Sequence, residues 1–90
     1  MYILLCYLHC IQYCYVLNNR DNKLLKKLGE RIRQLRKSKN MTQVELAVSC
    51  DNYAEQIGRI ERGELNVSIC TLKIIAKALN VKLSVLVDVD

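Results

Sequence analysis

Ninety residues are enough for one small domain, and their amino-acid composition limits the classes of protein to which that domain can belong. The chain carries 14 Lys/Arg against 9 Asp/Glu, a formal net charge of +5, and it contains no proline, tryptophan or phenylalanine. Its single histidine is His9, and no Ser/His/Asp set, paired-carboxylate site or glycine-rich phosphate loop is present. The sequence therefore argues against an enzyme and predicts no cofactor.

The positive charge is concentrated in one stretch. Residues 20–39 hold nine Lys/Arg against two Asp/Glu, a net charge of +7, whereas residues 40–90 have a net charge of −2. A basic segment beside a nearly neutral remainder indicates a polyanionic partner, either nucleic acid or an anionic membrane surface. A solvated helix face with no partner is the alternative interpretation.

Residues 1–17 form an apolar segment without a charged side chain. As a helix it would be about 25 Å long, which is shorter than the roughly 30 Å core of a bilayer. Three interpretations stay open: a marginal membrane anchor, an extra helix that packs on the domain or on a second subunit, or an extension from a start site placed too early. We favour the last, and divide the chain into an apolar extension of uncertain role, 1–22, and a domain, 23–90.

The cysteines do not follow the pattern of a secreted disulfide framework, because their number is odd and three of them lie in the apolar segment. They are Cys6, Cys10, Cys14, Cys50 and Cys70. The first three recur at every fourth residue, a weak match to known thiolate sites, so no metal is predicted. The last two are expected to be buried as small hydrophobic residues. Free thiols suit a reducing cytoplasm, and membrane anchoring through 1–17 is the alternative localisation.

Hydrophobic periodicity predicts an all-α domain of four or five short helices. The first runs over about 23–39 with an apolar stripe of Leu28, Ile32 and Leu35, and Asn40 can end it in the left-handed conformation. A fourth begins at Asn66 or Ser68 and stops at Asn80. The final stretch, "VKLSVLVDVD", favours a last short helix, although its valines also suit a strand.

Two helices within about 42–62 are separated by a turn of few residues, which is the helix-turn-helix pattern. Thr42 and Glu45 predict a capping box for the first, and Asn52 with Glu55 can cap the second, which Gly63 ends. A single helix fits the major groove of DNA while the preceding helix lies across the backbone. The residues expected to face the core of the domain are Leu46, Ala47, Ile57, Ile60, Leu72, Ile75, Ala76 and Leu79.

Residues 42–63, "TQVELAVSCDNYAEQIGRIERG", resemble the Cro and phage-repressor type of helix-turn-helix, the lambda repressor-like or xenobiotic-response-element family. The matched elements are Thr42-Gln43, Leu46-Ala47, Ile57, Ile60-Glu61 and Gly63, in register and without insertion. "LGERIRQLRKSKN" and "TLKIIAKALNV" are similar to the family's first and fourth helices, so the likeness covers about residues 24–87. It implies a dimer that binds a palindromic operator on double-stranded DNA.

The resemblance also implies roles for individual residues. Gln43 would touch a phosphate and brace the recognition helix, and Arg62 with the amide end of the second helix would hold phosphates. Arg36 and Glu61 would form a structural ion pair. Base edges would be read by four residues of the recognition helix: Ala54, Glu55, Gln56 and Arg59. The complete set of DNA-facing residues is Thr42, Gln43, Tyr53, Ala54, Glu55, Gln56, Arg59 and Arg62.

Four positions depart from the family's pattern. Asp51 replaces the turn glycine, Asn52 replaces an aliphatic residue, and Tyr53 replaces a small cap, so that Tyr53 can contact DNA backbone or a partner. Gly58 stands where serine is common, which allows a close approach to the second helix or to DNA. These departures affect which residues read the bases rather than the fold.

The predicted function is sequence-specific DNA binding by a transcriptional regulator, expected to be a repressor, through recognition helix 52–62. One alternative is an antitoxin-type module that neutralises a partner toxin and represses its own promoter, for which the apolar extension could supply binding surface. Another is the same regulator tethered to a membrane through residues 1–17.

Overall fold

The computed structural model describes residues 20–51 and 54–89, with Ala54 described by its backbone alone. Within these ranges it is all-α, as predicted. The five helices are α1 (Asn22–Ser38), α2 (Gln43–Ser49), α3 (Ala54–Glu61), α4 (Ile69–Ala78) and α5 (Leu83–Leu86). The alternative of a C-terminal strand is wrong, since Leu83–Leu86 is helical.

Side-chain caps set the start of three helices. Asp21 Oδ1 accepts from Leu24 N at 3.0 Å, so α1 begins one residue earlier than predicted. Thr42 caps α2, and Ser68 Oγ accepts from Thr71 N at 3.2 Å at the start of α4. Each cap satisfies an amide that has no carbonyl partner within its helix.

The chain leaves α1, α2, α3 and α4 through residues with positive φ. These are Asn40 (56°), Asp51 (53°), Gly63 (75°) and Asn80 (57°). The left-handed backbone predicted for Asn40 and for the helix-ending Gly63 is therefore confirmed, and Asp51, which stands in place of the turn glycine, adopts it as well. Asn, Asp and Gly adopt this conformation at the lowest steric cost. The proposed Asn52–Glu55 cap lies outside the described residues.

The apolar stripes of α1 to α4 converge on one core, to which α5 contributes Leu86. All eight residues expected to face the core are buried. Leu28 and Ile32 are buried as well, and Leu35 is half-buried against the same cluster. Leu86 is fully buried, and Arg31 Nε donates to the carbonyl of Val85 at 3.1 Å, which joins α5 to α1.

The prediction for Cys70 is wrong, whereas that for Cys50 is confirmed. Cys50 is buried and Cys70 is exposed. Successive residues of a helix are rotated by about 100°, so Cys70 lies on roughly the opposite side of α4 from the buried Leu72. The metal interpretation of the first three cysteines, like the whole of residues 1–19, lies outside the described residues.

Gly29 allows α1 to cross close to the end of α3. A Cβ at this position would lie 2.6 Å from the carbonyl oxygen of Ile60 and would also collide with that of Glu61. Because the obstacle is backbone, the helices could not stay this close with a side chain at residue 29. This contact places the last turn of α3 against α1.

No helix in the described ranges is long and apolar enough to cross a bilayer.

Candidate nucleic-acid interface

The amino end of α2 is formed by a complete capping box. Thr42 Oγ1 accepts from the amide of Glu45 at 3.1 Å, and Glu45 Oε1 accepts from the amide of Thr42 at 3.2 Å. The Thr42 hydroxyl keeps its own proton, because an oxygen that accepts one bond can still donate another. Thr42 is exposed, so this proton is available to an external acceptor.

Gln43 links α2 to α3. Its Nε2 donates to Glu61 Oε1 at 3.1 Å, and the side chain is half-buried. This contact is the brace that the resemblance implies for Gln43. An amide nitrogen has two protons, so the second can donate to an oxygen outside the protein.

Arg36 and Glu61 lie beneath this bridge and are the two buried charged residues among those described. Arg36 Nε donates to Glu61 Oε2 at 2.7 Å, and Arg36 Nη2 donates to Glu61 Oε1 at 3.0 Å. Arg36 Nη1 also donates to the carbonyl of Met41 at 2.8 Å. The bond to Glu61 raises the pKa of Arg36, while desolvation opposes that rise. This bidentate pair fixes α1, the α1–α2 loop and α3 in one arrangement.

The outward side of α3 carries the side chains predicted to read bases. Glu55, Gln56 and Arg59 are exposed, whereas Ile57 and Ile60 on the opposite side are buried. The two exposed residues Glu55 and Arg59 are four positions apart, so they lie one helical turn from each other on the same face. Tyr53 and the Ala54 side chain lie outside the described residues.

Gly58 and Arg62 join this surface to the start of α2. A Cβ on Gly58 would lie 3.1 Å from Arg62 Nη1 and 3.4 Å from Gln43 Oε1. The Arg62 guanidinium and the Gln43 amide therefore converge over the same glycine. The structure thus brings together two side chains for which the resemblance implies phosphate contacts.

Glu64 was not predicted as part of this surface. Its Oε2 lies 2.6 Å from Arg62 Nε, and its Oε1 lies 3.7 Å from Arg59 Nε. Hydrogen bonding raises the pKa of Arg62 and lowers that of Glu64. A signal existed in the sequence, since a glycine that ends a helix turns the next residue back toward the last helical turn.

The Lys/Arg of residues 20–39 differ in their availability to an external anion. Of the nine Lys/Arg in residues 20–39, seven are exposed, Arg31 is half-buried, and Arg36 is buried in its pair with Glu61. A positive charge tied to an internal carboxylate cannot also neutralise a phosphate.

No group of three metal-binding side chains occurs in the described residues.

The helix-turn-helix family profile matches residues 32–86 of this chain. Control protein C.BamHI of Bacillus amyloliquefaciens is 46% identical over 61 residues, which cover 67% of this chain and 75% of that protein. The crystal structure of the restriction-modification controller protein C.AhdI from Aeromonas hydrophila aligns with a TM-score of 0.68 at 35% identity, covering 69% of this chain and 94% of that one.

A third relative was solved with DNA. The controller protein C.Esp1396I, crystallised as a tetramer with its natural 35 base-pair operator, aligns with a TM-score of 0.66 at 36% identity. The alignment covers 70% of this chain and 83% of that one. The profile match and these relatives agree with the lambda repressor-like resemblance of residues 42–63. The chain therefore belongs to the helix-turn-helix family of DNA-binding transcriptional regulators.

Proposed function

We propose that residues 23–90 bind a palindromic DNA operator as a homodimer, with α3 in the major groove and the amino end of α2 on the adjacent phosphates. The observation that carries this proposal is the exposed surface of Glu55, Gln56 and Arg59 on a helix that hydrogen bonds of Glu61 with Arg36 and Gln43 link to α1 and α2. A helix that reads bases must present polar side chains outward and keep a fixed angle to the DNA backbone.

The side chains of α3 have the chemistry of base recognition. Arg59 suits the O6 and N7 atoms of guanine, Gln56 suits adenine, and Glu55 can accept from cytosine N4. Each good bidentate pair discriminates by about 1–3 kcal/mol. One short helix makes few such contacts, so useful specificity requires two copies on half-sites about 10 bp apart.

Phosphate binding falls to the residues around this helix. Thr42, Gln43 and Arg62 each retain a donor at the exposed end of α2 and α3. The exposed cations of α1 add attraction that does not depend on sequence and that weakens as salt increases.

The relatives support a regulator over an antitoxin. C.BamHI is a control protein, and C.AhdI and C.Esp1396I are restriction-modification controllers. We propose that this protein likewise controls a restriction-modification gene set, and that it represses where its operator overlaps a promoter.

Selection of bound sequences from a random DNA pool at about 0.15 M salt tests the proposal directly. The full-length chain should enrich a palindrome, and the same sequence should occur upstream of the genes it controls. Sedimentation of the protein with the enriched duplex should show two chains for each palindrome. Binding without an enriched motif would contradict sequence-specific regulation and leave only the charge of α1 as a source of affinity.

A further inference from the structure

Glu64 lies just beyond the carboxyl end of the recognition helix, and backbone contacts fix its position. Gly63, with φ of 75°, reverses the chain after α3, and the amide of Glu64 donates to the carbonyl of Arg59 at 2.9 Å. The carbonyl of Glu64 accepts from Arg20 Nη2 at 3.1 Å. Because the backbone alone completes this helix cap, the carboxylate is not needed to end α3.

The carboxylate instead lies between two arginines that are proposed to meet DNA. It is 2.6 Å from Arg62 Nε and 3.7 Å from Arg59 Nε, and the three side chains are between 46% and 59% exposed. Solvent reaches all three groups, so a phosphate oxygen can compete for the same guanidinium donors. An ion pair of this exposure is weak enough to exchange.

We propose that Glu64 is an internal counter-ion of the DNA-binding surface, which occupies Arg62 and Arg59 in the free protein and must give up Arg62 to a DNA phosphate. This inference rests on the proposed function. After the exchange, the carboxylate stays beside a polyanion and repels it. Glu64 therefore lowers the affinity for every duplex, and binding depends more strongly on base contacts.

Glu64→Gln provides the test, because it removes the charge while preserving the size of the side chain and both backbone hydrogen bonds. Titrations of full-length protein with an unrelated duplex at about 0.15 M salt should show affinity rising about three- to tenfold. The slope of log affinity against log salt should steepen by about one. Glu30→Gln is the matched control, since Glu30 is exposed on α1 and forms no ion pair within residues 20–51 and 54–89.

A second background separates the Arg62 contact from a general charge effect. In Arg62→Ala protein, the gain in affinity from Glu64→Gln should be smaller than in the parent, because the competition for Arg62 is gone and only the repulsion between the carboxylate and DNA remains. The melting temperatures of the Glu64→Gln and Glu30→Gln proteins should stay near that of the parent, since exposed pairs contribute little to stability.

Three results would overturn the inference: an equal gain from Glu30→Gln, an undiminished gain in the Arg62→Ala background, or a loss of affinity in Glu64→Gln. If the parent binds DNA but Glu64→Gln leaves the salt slope unchanged, the counter-ion role alone fails. If the parent binds no duplex, the proposed function fails and the inference falls with it.

Discussion

The guanidinium of Arg36 and the carboxylate of Glu61 meet through two hydrogen bonds, of 2.7 and 3.0 Å, across the contact between α1 and α3. Their side chains are 9% and 2% exposed. Gln43 adds a third bond to the same carboxylate from α2. Three helices therefore share one buried charge cluster, and the recognition helix is positioned through it.

Arg36→Ala should destabilise the fold strongly, because it leaves the Glu61 carboxylate buried without its cation. Breaking a buried pair in this way costs about 3–5 kcal/mol, a large part of the stability of a small domain. The melting temperature should fall by about 12 °C or more. Thermal unfolding followed by circular dichroism measures the change.

Arg33→Ala is the control for this prediction, since it removes the same charge from an exposed position of α1. Its melting temperature should stay close to that of the parent. Equal effects of the two substitutions would mean that the loss reflects the net charge of α1 and not the pair with Glu61.

Two glycines should respond oppositely to alanine. Gly29→Ala places a Cβ 2.6 Å from the carbonyl oxygen of Ile60, where backbone cannot move aside, and should cost about 1–3 kcal/mol or more. Gly58→Ala meets the flexible head of Arg62 at 3.1 Å and should gain up to about 1 kcal/mol from helix propensity. Denaturant midpoints of the two variants give the comparison. A stable Gly29→Ala protein would show that α1 and α3 can separate without loss.

The rotation of about 100° between successive helical residues explains which predictions of burial on α4 are correct and which one is wrong. Leu72, Ile75 and Ala76 recur on one face of α4 and are buried as predicted. The expectation that Cys70 occupies a core-facing position is wrong, because its position two residues before Leu72 puts it on the other side of the helix. The step of about 100° per residue, applied from Leu72, gives the correct side.

Contacts between distant parts of the chain were harder to predict. Nothing in "LGE" indicates that Gly29 meets the carbonyl of Ile60, because this depends on how α1 crosses α3. The contacts of Glu64 with Arg59 and Arg62 are local by contrast, and Gly63 was the signal that the chain turns Glu64 back toward them. The short α5 was ambiguous because valine favours strands, whereas its backbone is helical and places Leu86 in the core.

The two described cysteines should differ in reactivity. Burial, and to a lesser degree the nearby Asp51 charge, raises the pKa of the Cys50 thiol, so little reactive thiolate forms there. Cys70 is exposed and should react with iodoacetamide at least about tenfold faster in native protein. Peptide-resolved mass spectrometry measures both rates, and they should become similar in denaturant.

The same shift predicts a direction for stability against pH. Folded Cys50 keeps a proton that the unfolded chain releases above the ordinary thiol pKa of about 8.5. The contribution of the buried, neutral Cys50 thiol to the free energy of unfolding is therefore complete below that pH. It is lost as the pH rises toward the raised pKa of Cys50 in the folded protein. Cys50→Ala should flatten this part of the stability profile, whereas Cys70→Ala should leave it unchanged.

Arg59→Ala tests whether α3 reads bases. Arg59 is exposed on the outward face of α3. Among the described residues, its guanidinium has one ionic contact, at 3.7 Å from Glu64 Oε1. Its removal should cost about 1–3 kcal/mol at one base pair of each half-site and relax the preference there. Affinities for duplexes that carry each of the four bases at every position of the half-site locate the effect.

Lys77→Ala on α4 controls for the lost charge, because Lys77 is exposed and lies outside the helix-turn-helix. It should leave the base preferences intact and change overall affinity only slightly. If Arg59→Ala weakened all duplexes equally, Arg59 would be a phosphate ligand. Base reading would then rest on Gln56 and Glu55, whose own alanine variants should relax the preference at other positions.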